Sequence, residues 1–354
     1  MKYASWLVAL IVFGTLFSSA DAGSRRTRRQ LEHISQGLAG QIVDYTQNGS
    51  SDRRIWSEAL QSKRDLYIYL PPGFDPAKRY PLIFWFHGFA QDEQAFVKYV
   101  AEPLDKAITS GQLPAAIVAA PDGSIDGQAC YKAGSFFLNS QAGAFEDWVM
   151  RDAWNFVFEN YPIRPEREAH ALTGVSMGGG AAFNLGIKYR DRVKCVAGVF
   201  PSVNTRWVND RGRYMAKFDP ARQALREDLR ALQVVGRFGP ILVPLKRLLD
   251  PIYDRRDPDA ISHLARENPL EMLDAYDVKE GQLNMFIGWG GKDQFNIGAQ
   301  VESFLYRAHQ KGLTVETAYL PQGKHDVETA LKIWPCLVKW LAPQIAPYAP
   351  DGDK

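Results

Sequence analysis

The sequence predicts an α/β domain in which a mostly parallel central sheet is covered by helices on both faces. Three observations lead there. Residues 80–86, 115–120 and 193–200 are apolar throughout, which suits strands shielded on both faces rather than half-solvated ones. Residues 93–110 and 145–161 separate such runs and read as helices, with Phe145, Trp148, Val149, Ala153, Phe156 and Val157 near helical spacing. Finally, Gly174-Val175-Ser176-Met177-Gly178 stands between a short apolar run, 169–173, and a helix-like stretch that begins with small residues. A sharp strand-to-helix turn needs such small neighbours.

In chain order, Lys2 precedes an apolar run over 6–17, and Ser18-Ser19-Ala20-Asp21-Ala22 closes it with small residues. This predicts a signal peptide over 1–22 cleaved after Ala22, since a membrane span needs roughly 20 apolar residues. Arg25, Arg26, Arg28 and Arg29 fall in a predicted solvated basic tail, 23–40. The α/β domain is expected over 41–345 and a C-terminal tail over 346–354. Residues 41–45, 55–59 and 65–70 alternate apolar and polar side chains as half-buried antiparallel strands do. Later strands are expected at 282–289 and 314–320. Between 201 and 276 the strand-helix alternation lapses. Asp219-Pro220 and Asn268-Pro269 read as helix starts, and Leu225, Leu229 and Leu232 fall on one face. A helical cap insertion is therefore expected over about 205–276.

With 46% hydrophobic and 23% charged residues the composition is that of an ordinary globular protein, and a formal net charge of +2 gives no reason to invoke nucleic acid or an anionic surface. Cys130, Cys195 and Cys336 permit at most one internal disulfide, which leaves a Cys130–Cys336 pair open, and none has metal-ligand spacing. Cys195 lies in an apolar run and reads as a buried thiol.

The chemistry starts at Ser176. G-x-S-x-G between strand and helix is the nucleophile elbow, although an ordinary glycine-rich turn has the same five residues. A serine hydroxyl needs an imidazole to take its proton and a carboxylate to hold the imidazole's tautomer. In an α/β-hydrolase these follow in the order Ser, acid, His. His325 lies in a turn directly after the last predicted strand, where the base belongs. Asp293 follows the preceding strand through Gly290-Gly291-Lys292 and is the expected acid, with Asp274, Asp277 and Asp326 as less well placed competitors. Two amides must face the oxyanion: Met177, after the nucleophile, and Phe89, in the loop after 80–86, with Gly88 shaping the turn. His87 reads as a structural hydrogen-bonding residue. No metal or organic cofactor is required.

These residues, with the W-F-H-G-F strand exit, the A-P-D-G turn, the N-S-x(4)-F-E-D-W-V stretch at 139–149 and the late G-K-D and G-K-H-D turns, resemble the esterase D-like and feruloyl esterase-type family of α/β-hydrolases. That family includes feruloyl and acetyl-xylan esterases, S-formylglutathione hydrolases, siderophore esterases and mycolyl-transferases. The resemblance covers roughly 65–200 and 282–341. It implies Ser176, Asp293 and His325 as nucleophile, acid and base and the Phe89 and Met177 amides as oxyanion hole. It implies a serine esterase acting through an acyl-enzyme, and the predicted leader adds export, which favours a small or polysaccharide-linked ester met outside the cytoplasm. Phe89, Phe96, Tyr99, Tyr131, Phe136, Phe137 and Trp207 are compatible with an aromatic acyl group and equally with plain core. Two rivals use the same fold. One is an acyltransferase with the same triad. The other is a silent binding protein, which requires one of the three residues to be out of register. No membrane span is expected once the leader is removed, and the oligomeric state is open.

Overall fold

Eight strands hydrogen-bond into one sheet: β1 (Gln41–Tyr45), β2 (Leu66–Leu70), β3 (Leu82–Phe86), β4 (Ile117–Pro121), β5 (His170–Val175), β6 (Cys195–Val199), β7 (Asn284–Gly290) and β8 (Val315–Leu320). Their order is β1-β2-β4-β3-β5-β6-β7-β8 in a computed structural model that describes residues 29–48, 51–131 and 133–350. The predicted signal peptide and the first residues of the basic tail lie outside the described residues. Pairing is antiparallel for β1 with β2 and for β2 with β4, and parallel from β4 through β8. The apolar runs are the reason: β3, β4 and β6 are buried at every position, so helices must cover both faces. β2, expected to be half-buried, is also buried at every position.

The covering helices include α1 (Gln94–Tyr99), α2 (Ala101–Thr109), α3 (Trp154–Asn160), α4 (Met177–Lys188), α5 (Ile297–Gln310) and α6 (Val327–Ile345). The single helix expected over 93–110 is two, joined at Val100, and the one over 145–161 contains a π-helical stretch, Trp148–Ala153. Residues 55–57 and 62–64 pair only with each other, outside the main sheet. Among the described residues no helix is long and apolar enough to cross a membrane.

Both expected tails are partly folded. The Ala39 and Gly40 amides donate to the Asp105 carboxylate at 3.0 and 2.7 Å, and Leu31 is buried. At the other end Arg164 donates to the Tyr348 and Ala349 carbonyls. The three cysteines form no disulfide, and Cys195 is buried.

The insertion departs most from expectation. Residues 205–244 form two antiparallel hairpins, Trp207–Asn209 with Gln223–Leu225 and Val234–Phe238 with Ile241–Pro244, and short helices appear only at Leu245–Leu249, Ala260–Arg266 and Pro269–Ala275. Asp219-Pro220 opens a turn, with the Asp219 carboxylate accepting from the Ala221 amide. Leu225 is in a strand rather than on a helix face. Asn268-Pro269 does begin a helix, but the Asn268 side-chain oxygen accepts from the Thr205 amide instead of capping it. Trp207, Val208, Tyr214, Val235, Val243 and Leu249 build a second apolar core beneath these elements.

Candidate active site

Ser176 stands between β5 and α4 with φ 56° and ψ −115°, a left-handed backbone that L-residues rarely adopt. Packing enforces it. A methyl group on Gly174 would lie 2.4 Å from the Gly178 backbone, and one on Gly178 would lie 2.2 Å from the Phe86 carbonyl oxygen. The Ser176 amide donates to the Val199 carbonyl at 2.8 Å, which fastens the turn to the end of β6.

The base and the acid arrive on the next two strands. Because β5, β6, β7 and β8 run parallel, their carboxyl ends share one sheet edge. Asp293 follows β7 and His325 follows β8. The two loops are stitched together: the Gly291 amide donates to the Leu320 carbonyl at 2.9 Å and the Lys292 amide to the Gly323 carbonyl at 2.8 Å. Gly290 admits this approach, since a methyl group there would lie 2.4 Å from the Gly323 oxygen.

Ser176 Oγ lies 2.9 Å from His325 Nε2, and His325 Nδ1 lies 2.7 Å from Asp293 Oδ2. The other Asp293 oxygen accepts from the Phe295 amide at 2.7 Å, which fixes the carboxylate's orientation. The Asp293 side chain is only 2% exposed and that of His325 14%, so their interaction is poorly screened. The structure brings all three predicted side chains together. Asp274 instead pairs with Arg307 and Lys311, Asp277 pairs with Lys279, and Asp326 caps α6 by accepting from the Thr329 amide.

Phe89 and Met177 lie on either side of Gly134: a methyl group there would lie 2.7 Å from the Phe89 ring and 2.8 Å from the Met177 sulfur. Neither amide donates to an acceptor among the described residues, and the Met177 N–H belongs to the first turn of α4, where helix donors are unspent and the dipole is positive. The loop carrying Phe89 is held by the Gln91 side chain, which accepts from the Gly88 amide at 2.9 Å. His87 is structural in its contacts: its Nδ1 donates to the Gly88 carbonyl and its Nε2 accepts from the Gly123 amide, each at 2.9 Å.

Behind this loop lies a buried ionic group. Burial acts to raise the Asp122 carboxyl, but it lies below its ordinary range, with the Arg64 guanidinium 2.5 Å away favouring the charged form. Burial raises Glu93 well above the usual range and Asp65 to about 6.

Sequence reasoning did not single out three neighbours of the base. The Gln294 side-chain oxygen accepts from the His325 amide at 2.9 Å, and the rings of Phe200 and Phe295 each stand 4.9 Å from the imidazole. Gln294 and Phe295 directly follow Asp293, so adjacency is their only signal in the sequence, while Phe200 closes an apolar run and carries none. Conversely, Phe96, Phe137 and Trp207 are fully buried, packing on Trp85, on Phe86 and His87, and in the insertion core, so they do not line a substrate surface.

Known proteins resemble this chain in sequence or fold. S-formylglutathione hydrolase of Arabidopsis thaliana is 27% identical over 160 residues, 42% of this chain, and the match spans about half of that relative's own length, 55%. A solved S-formylglutathione hydrolase from Agrobacterium tumefaciens superimposes with a TM-score of 0.60 at 16% identity, covering 87% of this chain and 97% of that one. A ferulic acid esterase from Anaeromyces mucronatus, solved with ferulic acid, gives a TM-score of 0.52 at 16% identity, covering 86% of this chain and 89% of that one. At such identities these likenesses speak for the α/β-hydrolase fold. A family model described as "Putative esterase" matches residues 57–341, and the chain belongs to that family.

Proposed function

We propose that the protein is an exported serine esterase in which Ser176 is the nucleophile, His325 the general base and Asp293 the acid that orients it. The observation that carries this reading is the continuous path from Ser176 Oγ to His325 at 2.9 Å and on to Asp293 at 2.7 Å, at the carboxyl edge of the sheet.

Ser176 Oγ attacks the ester carbonyl while its proton passes to His325 Nε2, and Asp293 holds Nδ1–H and balances the imidazolium. The Phe89 and Met177 amides take the oxyanion, a role in which one donor is worth about 3–4 kcal/mol of barrier. Collapse breaks the bond to the leaving alcohol, which departs with the proton from His325. Water then surrenders a proton to the same nitrogen and attacks the acyl-enzyme, releasing the acid and restoring Ser176.

The proposed substrates are small or polysaccharide-linked carboxylic esters, aromatic acyl groups among them. The half-buried Phe295 ring beside the base, and the half-buried Phe89, support an apolar acyl site. The leader over 1–22 directs the protein out of the cytoplasm, and a secreted product that begins at Gly23 is the expected outcome of N-terminal sequencing. The test of function is hydrolysis of p-nitrophenyl acetate, p-nitrophenyl butyrate and methyl ferulate beside Ser176→Ala. Turnover of at least one ester by the natural chain alone is expected. Inactivity on all three, or equal rates in the variant, overturns the reading.

A further inference from the structure

The hairpin Val234–Phe238 with Ile241–Pro244 lies over the candidate site. A methyl group on Gly236 would lie 2.1 Å from the Phe295 ring, and that ring stands 4.9 Å from the imidazole of His325. The inward side of the hairpin is consumed: Val235 and Val243 are buried in the insertion core. The tip, at Ile241, and the outer face, at Leu242, are not. Ile241 and Leu242 are 54% and 58% exposed, and Leu232 is 73% exposed. Leu232 continues the same ladder, because the Leu245 amide donates to the Gln233 carbonyl and the Lys246 amide to the Ala231 carbonyl.

Charge is distributed with equal bias. Residues 229–249 hold Arg230, Arg237, Lys246 and Arg247 and no Asp or Glu, in a chain whose net charge is only +2. Arg230 pairs with Asp228, but Arg237, directly across the ladder from Leu242, and Lys246 are exposed and form no ion pair among the described residues. Aliphatic side chains on a protruding hairpin, flanked by cations, match a plane in which anionic headgroups overlie hydrocarbon.

We propose that this hairpin docks the protein on an anionic lipid surface, with Ile241, Leu242 and Leu232 entering the acyl boundary and Arg237 and Lys246 meeting phosphate. Docking places the candidate site against the interface, so that esters dissolved there reach it without crossing bulk water. This last consequence rests on the esterase reading, whereas the docking itself does not.

The test is co-sedimentation of the full chain with large vesicles of mixed phosphatidylglycerol and phosphatidylcholine and, separately, of phosphatidylcholine alone. Retention on the anionic vesicles is expected. The Ile241→Ser/Leu242→Ser variant is expected to weaken it by about tenfold or more, and Arg237→Glu/Lys246→Glu to weaken it on anionic vesicles only. Leu331→Ser, which alters an exposed leucine on α6, is expected to bind like the natural chain. Absence of sedimentation, or retention unchanged in both hairpin variants, overturns the proposal. So does light scattering without vesicles that finds a dimer which Ile241→Ser/Leu242→Ser dissolves, since a second copy then covers the patch. Hydrolysis of soluble p-nitrophenyl acetate, measured on the same samples, reports folding of the variants. Its absence from the natural chain, with vesicle binding intact, removes the esterase reading and leaves docking standing.

Discussion

Ser176 is held in a backbone conformation that costs an L-residue on the order of 1–3 kcal/mol, and the glycines around it keep that conformation by leaving no room for another. The strain lifts the hydroxyl toward His325, whose position depends on two side chains with distinct tasks. Asp293 fixes the ring's tautomer, so Asp293→Asn is expected to lower kcat by about 10⁴-fold with little change in KM. Gln294 fixes the backbone, because its side-chain oxygen accepts from the His325 amide. Losing that one hydrogen bond in Gln294→Ala is expected to cost about 1 kcal/mol, read as a roughly five- to tenfold fall in kcat/KM. Gln294→Glu, which keeps an acceptor, should recover part of the loss. An unchanged rate in Gln294→Ala contradicts the positioning role.

The nucleophile elbow works as an element because the loops around it arrive at fixed distances. Gly178→Ala drives a methyl group onto the Phe86 carbonyl, where no flexible side chain can give way. A loss of about 1–3 kcal/mol is expected, measured as a lower denaturant midpoint. At this scale the sequence was most legible where burial dictates both composition and structure. The runs that became β3, β4 and β6 are apolar because both faces are covered, and Ser176 and Asp293 each follow a nearly buried strand, whereas His325 follows the edge strand β8, where only Ala318 is buried. The insertion was least legible. Asp219-Pro220 suits a turn as well as a helix start, and Leu225, Leu229 and Leu232 have helical spacing by coincidence. Cross-strand partners and the apolar core around Trp207 and Val243 decide for hairpins, and neither kind of contact leaves a periodic trace in the chain. Phe295 and Phe200 escaped for the same reason, since nearness to His325 arises only when three loops meet.

Across the whole molecule, parallel strands bring Ser176, Asp293 and His325 to one edge although Ser176 lies 149 residues from His325 in the chain. The opposite half of the sheet carries an ionic burden that should appear in the stability profile. Burial raises the Asp65 carboxyl to about 6, against the Gln47 amide that opposes the shift, with the charge of Asp122 adding to it. A carboxyl whose folded value is raised binds its proton more tightly in the native state, so its contribution to stability falls as pH rises from about 4 to about 6. Asp65→Asn retains an acceptor for the Gln47 amide and removes the titration. The Tm of the variant relative to the natural chain is therefore expected to increase between pH 4 and pH 7, and a difference that stays flat or declines contradicts the shift.

The central claim is that Ser176 is acylated during turnover. Rapid acid quench of the protein during hydrolysis of p-nitrophenyl acetate, followed by intact and peptide mass spectrometry, tests it most directly. We expect one acetyl group per chain on the peptide containing Ser176, absent from Ser176→Ala and accumulating in Asp293→Asn if deacylation is slowed more than acylation. Turnover with no acyl group on that peptide, or an acyl group that persists in Ser176→Ala, would contradict the account.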